Sequence, residues 1–183
     1  MTAICTPQEV YSFWFEKCGR EDWFTSSPGL DEEMKRQFRD THLQLASGPS
    51  DQWRATPANR LALIVVLDQF PRNIYRGTAL AFATDGLARA QAELALECGD
   101  VKQVPEAFRL FFYLPFEHAE DIALQDRAVA LFADLGDEQY LDYAQRHRAV
   151  IATHGRFPHR NQALGRRSTA AELQYLAETG AGF

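Results

Sequence analysis

Two short stretches place arginine beside asparagine just after an aromatic–proline pair. One is Phe70-Pro71-Arg72-Asn73 with Arg76-Gly77; the other, 87 residues on, is Phe157-Pro158-His159-Arg160-Asn161 with Gly165-Arg166. In each, proline interrupts a helix and leaves backbone carbonyls that need donors. Arginine and asparagine supply several donors within a short arc, and glycine lets the chain turn sharply. Two such turns can form a pocket for a carboxylate or phosphate, gripped bidentately by Arg72 and Arg160 beside Asn73 and Asn161. Arg76, Arg156 and Arg166 would add charge at its rim. The same donors can equally satisfy helix C-termini and pair with acids of the protein itself.

Phe116-Glu117-His118-Ala119-Glu120-Asp121 supplies such acids, and a second chemistry. If a helix running to Leu135 restarts at Pro115, Glu117 and Asp121 stand four apart and His118 and Asp121 three apart. That spacing gathers carboxylate, imidazole and carboxylate over one turn. Such a patch could act as a general acid–base group, with His118 tuned by Asp121 or Glu117. First-turn acids also complement the helix dipole, which is a purely structural use. Asp68, leaving an apolar run with Arg72 one turn away, reads as half of a structural ion pair.

Other chemistries are poorly supported. His147 and His154 lie seven apart and His159 follows, but no HExxH, ExxH or HxH pattern accompanies them, so no metal site is expected. His42 is isolated. No GxSxG elbow or glycine-rich phosphate loop occurs, and no cofactor motif is present. Cys98 precedes Gly99 at a helix C-terminus, where the dipole disfavours a thiolate. Trp14 and Trp23 belong to an aromatic cluster too dense for one buried stripe, most of which should be core.

The elements that must carry these residues read as helices throughout. Thr6-Pro7-Gln8-Glu9 is a capping box that opens a helix through about Lys17, stopped by Gly19. Asp31 can cap a second helix, and Thr56-Pro57 starts a third. The core of that third helix, residues 61–67, is apolar on every side and must be central. Thr84 or Asp85 opens a helix to Cys98, Pro105 a short one through Phe112, and Asp137 one through about Thr153. Thr169-Ala170-Ala171-Glu172 is a second capping box. No stretch alternates with period two. The expectation is an all-α fold of antiparallel helix pairs with short connections, in a single domain spanning residues 1–183.

Composition bounds the partners. The 183 residues carry 19 Lys and Arg against 25 Asp and Glu, a net charge of −6 that argues against a generic nucleic-acid binder. The average hides a split. Residues 143–171 hold six arginines and no acid, leaving 13 bases against 25 acids elsewhere. No apolar run approaches the ~20 residues that cross a bilayer. The first residues lack the basic and apolar regions of a signal peptide. Three cysteines without a CxxC pair fit reduced thiols, and hence a cytoplasmic protein.

Phe13-Trp14-Phe15, Leu67-Asp68-Gln69-Phe70-Pro71-Arg72-Asn73 with Arg76-Gly77, and Ala81-Phe82-Ala83-Thr84-Asp85 resemble the bacterial DUF924 family. So do Tyr113-Leu114-Pro115-Phe116-Glu117-His118 with Glu120-Asp121, and Gly155-Arg156-Phe157-Pro158-His159-Arg160-Asn161 with Leu164-Gly165-Arg166 and Ser168-Thr169. The resemblance covers nearly the whole chain in order. At His154 the family usually carries an aromatic, which argues against a metal site there. The resemblance implies an all-helical, tetratricopeptide-like superhelix and no established activity, so it supplies no catalytic residues. Three readings follow: a module binding an anionic small molecule or peptide carboxylate through the two turns; a small enzyme using His118, Glu117 and Asp121 on an anionic metabolite; and a scaffold whose polar cluster is an internal network.

Overall fold

Capping residues set most of the helix starts. In the computed structural model, which describes residues 4–25 and 27–179, Thr6 and Glu9 form the reciprocal box that opens α1 (Pro7–Tyr11). The Thr6 N–H donates to the Glu9 carboxylate at 2.7 Å, and the Glu9 N–H donates to the Thr6 hydroxyl at 3.3 Å. The chain then widens into a π-helical turn, Ser12–Lys17, closed by the Cys18 N–H donating to the Phe13 carbonyl five residues back. This turn buries three consecutive aromatics, Phe13, Trp14 and Phe15, which one α-helical stripe could not do. Phe13 and Trp14 pack on Phe70, and Phe15 and Trp23 pack on Phe111. Trp23 ends α2 (Arg20–Trp23), and its indole N–H donates to the Trp14 carbonyl at 2.9 Å.

The second long helix, α3 (Pro28–Ser47), starts earlier than the sequence suggested. Ser27 caps it and Pro28 takes its first position, so Asp31 lies a turn inside with its carboxylate available for other partners. Thr56 caps α4 (Pro57–Asp68), whose residues 61–67 are all buried. This apolar helix is the centre of its region and is touched by α1, α3, α6 (Asp85–Cys98) and the short α5 (Phe70–Ile74). Gly99, at φ +72°, ends α6 in the left-handed conformation that glycine adopts without strain.

The chain from Pro105 to Leu135 departs from expectation. A 3-10 turn, Glu106–Phe108, leads into α7 (Leu110–Glu117), which accommodates Pro115 in its interior. The helix stops there. Asp121 is extended and caps a separate α8 (Ile122–Leu135), its carboxylate accepting from the Ala123 and Leu124 N–H groups at 2.9 and 3.0 Å. A strong N-cap four residues beyond Glu117 restarts the helix, so Glu117 and Asp121 do not share one helical face. Gly136 and the cap residue Asp137 then turn the chain into α9 (Glu138–His154), which packs along α8. Thr169 and Glu172 form the expected box at the start of α10 (Ala170–Thr179).

Regular structure is entirely helical among the described residues. They divide into two compact units: one comprises the chain up to Arg76 and Leu80–Pro115, the other Gly77–Ala79 and the chain from Phe116 onward. No described helix is long and apolar enough to cross a membrane.

Candidate functional site

The first Arg-Asn turn lies in the first unit, where α4 gives way to α5. Pro71 has no N–H for the Leu67 carbonyl four residues back, and the Thr84 hydroxyl donates to that carbonyl instead, at 2.6 Å. The Asp68 carbonyl accepts from the Arg72 guanidinium. Arg72 also meets the Asp85 carboxylate through two parallel hydrogen bonds of 3.0 and 3.1 Å and stands 3.6 Å from the buried Asp68 carboxylate. Burial alone would lower the Arg72 pKa, but these two carboxylates raise it. Asn73 donates to Asp31 at 2.8 Å, and Arg76 grips the same carboxylate at 2.6 and 2.9 Å. Against the cost of its partial burial, the Asp31 carboxyl is thereby held below its ordinary range.

A buried relay backs this turn. The Thr84 hydroxyl uses its only hydrogen on Leu67, so at the 3.1 Å contact it must accept from His42 Nε2. His42 Nδ1 is then the acceptor for the Tyr75 hydroxyl, also at 3.1 Å. Burial pushes His42 down to about 4, which keeps this ring neutral and its tautomer fixed.

The second turn lies in the second unit and has a different anatomy. Gly155 ends α9 in the left-handed conformation, and Pro158–Arg160 form a 3-10 turn against α10. Glu120, in the break between α7 and α8, organises the loop. It accepts from the Phe157 N–H at 2.8 Å and from Arg166 at 2.5 and 2.8 Å. Arg166 also donates to the Asn161 amide oxygen and to the Phe157 carbonyl, and Asn161 donates to Ser168. Burial would raise the Glu120 carboxyl, but Arg166, the Phe157 amide and the field of Arg160 hold it low. A second clamp joins Arg156 to Glu172 at 2.6 and 2.9 Å. With help from the Thr169 N–H and Asn161, it brings the Glu172 carboxyl down to about 2.

Inside this clamped loop, imidazoles gather about Phe157, whose ring is fully buried. The His147 and His159 ring centroids lie 5.6 and 5.5 Å from it, and the Arg160 guanidinium lies 4.5 Å over its face. His118 stands 6.5 Å from His147. His147 Nδ1 is 2.9 Å from the Tyr143 carbonyl and 3.2 Å from the buried Glu117 carboxylate. A carbonyl only accepts, so Nδ1 carries the proton and donates toward both oxygens. Burial is the main reason that His147 falls to about 3. The Tyr143 carbonyl opposes this shift, while His118, His159 and Arg160 reinforce it. Among the described residues, no three His, Cys, Asp or Glu side chains are arranged to hold a metal ion.

The residues singled out by sequence thus separate into groups. Arg72, Asn73 and Arg76 engage Asp31, Asp68 and Asp85; Asn161 and Arg166 engage Ser168, Phe157 and Glu120. Asp121 is a helix cap, whereas Glu117, His118 and Arg160 belong to the cluster around His147 and Phe157. The sequence reading gave His147 and His159 no role outside a metal site. It did not connect Asp31 and Asp85 with the first turn. Those contacts join residues 13 to 45 positions apart, beyond any local spacing rule. The concentration of His147, His159 and Arg160 within the acid-free segment was the available signal.

A family model described as a bacterial protein of unknown function, DUF924, matches residues 10–180. The solved structure of a protein of unknown function from Agrobacterium tumefaciens is similar to this chain at 45% identity and a TM-score of 0.89. The match covers 94% of this chain and 97% of that one. A comparison with curated proteins returns no match.

Proposed function

The chain belongs to DUF924, a bacterial family of unknown function, and we propose that it is a binding protein for a small anion, with its contact set in the second unit. Arg160, His118 and His159 would meet the ligand. The observation that carries this reading is the setting of Arg160. The buried Arg160 holds its guanidinium 4.5 Å over the Phe157 ring, with His147 and His159 beside the same ring, and its charge is felt by both His147 and Glu120. A guanidinium fixed against an aromatic face presents a planar fork suited to carboxylate or phosphate oxygens. Imidazole N–H groups beside it would supply further donors.

In this reading the remaining residues position the set. Glu120, Arg166 and Asn161 fix the loop that carries His159 and Arg160, while Glu117 and Tyr143 fix the tautomer of His147. The first turn serves as an internal staple, a role favoured by the engagement of Arg72, Asn73 and Arg76 with protein carboxylates. Cys5, Cys18 and Cys98 are free thiols, which supports a cytoplasmic setting.

Thermal-shift titrations with inorganic phosphate and with acetate test the reading. Wild type and Arg72→Lys should gain stability with anion to the same extent, and Arg160→Gln should gain much less. Equal gains in Arg160→Gln would refute it.

A further inference from the structure

Arg109 stands apart from the other partly buried arginines of the chain. Arg54 donates to Gln91, Arg60 to Asp100, Arg72 to Asp85, Arg148 to Asp126, Arg156 to Glu172 and Arg166 to Glu120. The Arg109 side chain has no hydrogen bond, ion pair or ring contact among the described residues, and its Nε is sealed from solvent without an acceptor. Arg60 also has a sealed Nε, but its terminal nitrogens hold Asp100 and the Arg54 carbonyl. Glu106, one turn before Arg109, is exposed and makes no ion pair with it. Arg109 thus covers part of a cation and gains nothing from the protein in return, an arrangement that is costly unless an acceptor arrives from outside.

We infer that Arg109 anchors an oxyanion-binding site in the first unit, separate from the Arg160 cluster, taking a carboxylate or phosphate group. Its place in the chain suits the role. Arg109 joins the turn Glu106–Phe108 to the start of α7, so its backbone is held at both ends. The Arg109 N–H donates to the Glu106 carbonyl, and the Arg109 carbonyl accepts from Phe112. Phe112 and Tyr113, three and four residues on, are buried. The residue itself remains partly exposed. A fixed stem, a covered Nε and an otherwise unengaged guanidinium form a fork already desolvated in part, which strengthens a charge-assisted hydrogen bond to an incoming oxygen.

The test uses the full chain labelled with 15N-arginine, following side-chain Nε–H resonances during separate titrations with inorganic phosphate and acetate. The Arg109 signal is assigned by its loss in Arg109→Lys. It should move with at least one anion: phosphate alone would define a tetrahedral ligand, acetate alone a planar one. The same curve should be obtained in Arg160→Gln. Arg109→Gln should weaken the binding reported by thermal shift in an Arg160→Gln background by about tenfold or more, the loss expected for one charge-assisted bidentate contact. If Arg109→Gln does not fold, Arg109→Lys replaces it, with weakening expected because the fork is lost while the charge remains. An immobile Arg109 resonance with both anions overturns the site. So does a response abolished by Arg160→Gln, which would merge the two sites while leaving anion binding at Arg160 intact.

Discussion

Arg72 faces two carboxylates, Asp85 at 3.0 Å and Asp68 at 3.6 Å, while Arg160 lies over the Phe157 ring beside His147 and His159. Both follow an aromatic–proline pair and precede an asparagine. In the first turn Pro71 falls inside continuing helix, and the carbonyls it leaves are met by Thr84 and Arg72. In the second, Gly155 has already ended the helix, so Pro158 displaces no helical hydrogen bond. The same local sequence therefore meets different backbone demands. One arginine is drawn into repairing a helix end, and the other lies over the ring beside it.

The largest expected effect comes from breaking the first turn. Arg72→Gln would remove the guanidinium that Asp68 and Asp85 share, and breaking a buried pair in this way costs about 3–5 kcal/mol. Denaturant melts measure it; a loss below about 1 kcal/mol would mean that the turn is not a staple. Glu120→Gln attacks the second turn. It removes the charge that Arg166 and the Phe157 N–H share, for a loss of roughly 2–3 kcal/mol. Faster hydrogen exchange at the Phe157 amide should accompany it, and unchanged exchange would contradict Glu120 as the organiser of the loop.

Acid should weaken both regions through their buried imidazoles. His42 in the first unit and His147 in the second titrate at about 4 and about 3, against an ordinary 6.5. Between those limits the unfolded chain binds more protons than the folded one, so stability falls as pH drops below 6.5. Each histidine contributes a slope of about 1.4 kcal/mol per pH unit. Glu120, Asp31 and Glu172, held low by their partners, add their own loss only as pH falls below the ordinary carboxylate range. His42→Gln should remove one histidine's share of the slope above pH 4.5; an unchanged profile would show that His42 is not the buried neutral ring described. The smallest effect belongs to Arg76→Gln. Arg76 grips Asp31 bidentately, but its side chain is 46% exposed, so the loss should stay within about 1 kcal/mol. A larger loss would place the centre of the first turn at Asp31 rather than at Arg72.

What the sequence disclosed followed from locality. The boxes at Thr6–Glu9 and Thr169–Glu172, the Thr56 cap and the all-apolar run at 61–67 each act within a few residues, and each is found where expected. The Asp68–Arg72 pair, one helical turn apart, was legible for the same reason. The acids of the first turn were not. Asp31 binds Arg76 across 45 residues, and its own helix starts at Ser27, a turn ahead of the cap that sequence favoured. The acid–base patch over one turn failed on one residue. Asp121 caps a new helix, and the neighbour that Glu117 gains instead is His147, 30 positions away on α9. Caps and spacings reveal segments, whereas carboxylates choose arginines through tertiary packing.

The difference between the two turns is tested most directly by titrating inorganic phosphate against wild type, Arg72→Lys and Arg160→Gln while following melting temperature. The expected result is anion-dependent stabilisation in wild type, the same stabilisation from a lower starting point in Arg72→Lys, and a much smaller one in Arg160→Gln. Stabilisation that is undiminished in Arg160→Gln and falls in Arg72→Lys would contradict this difference between the turns.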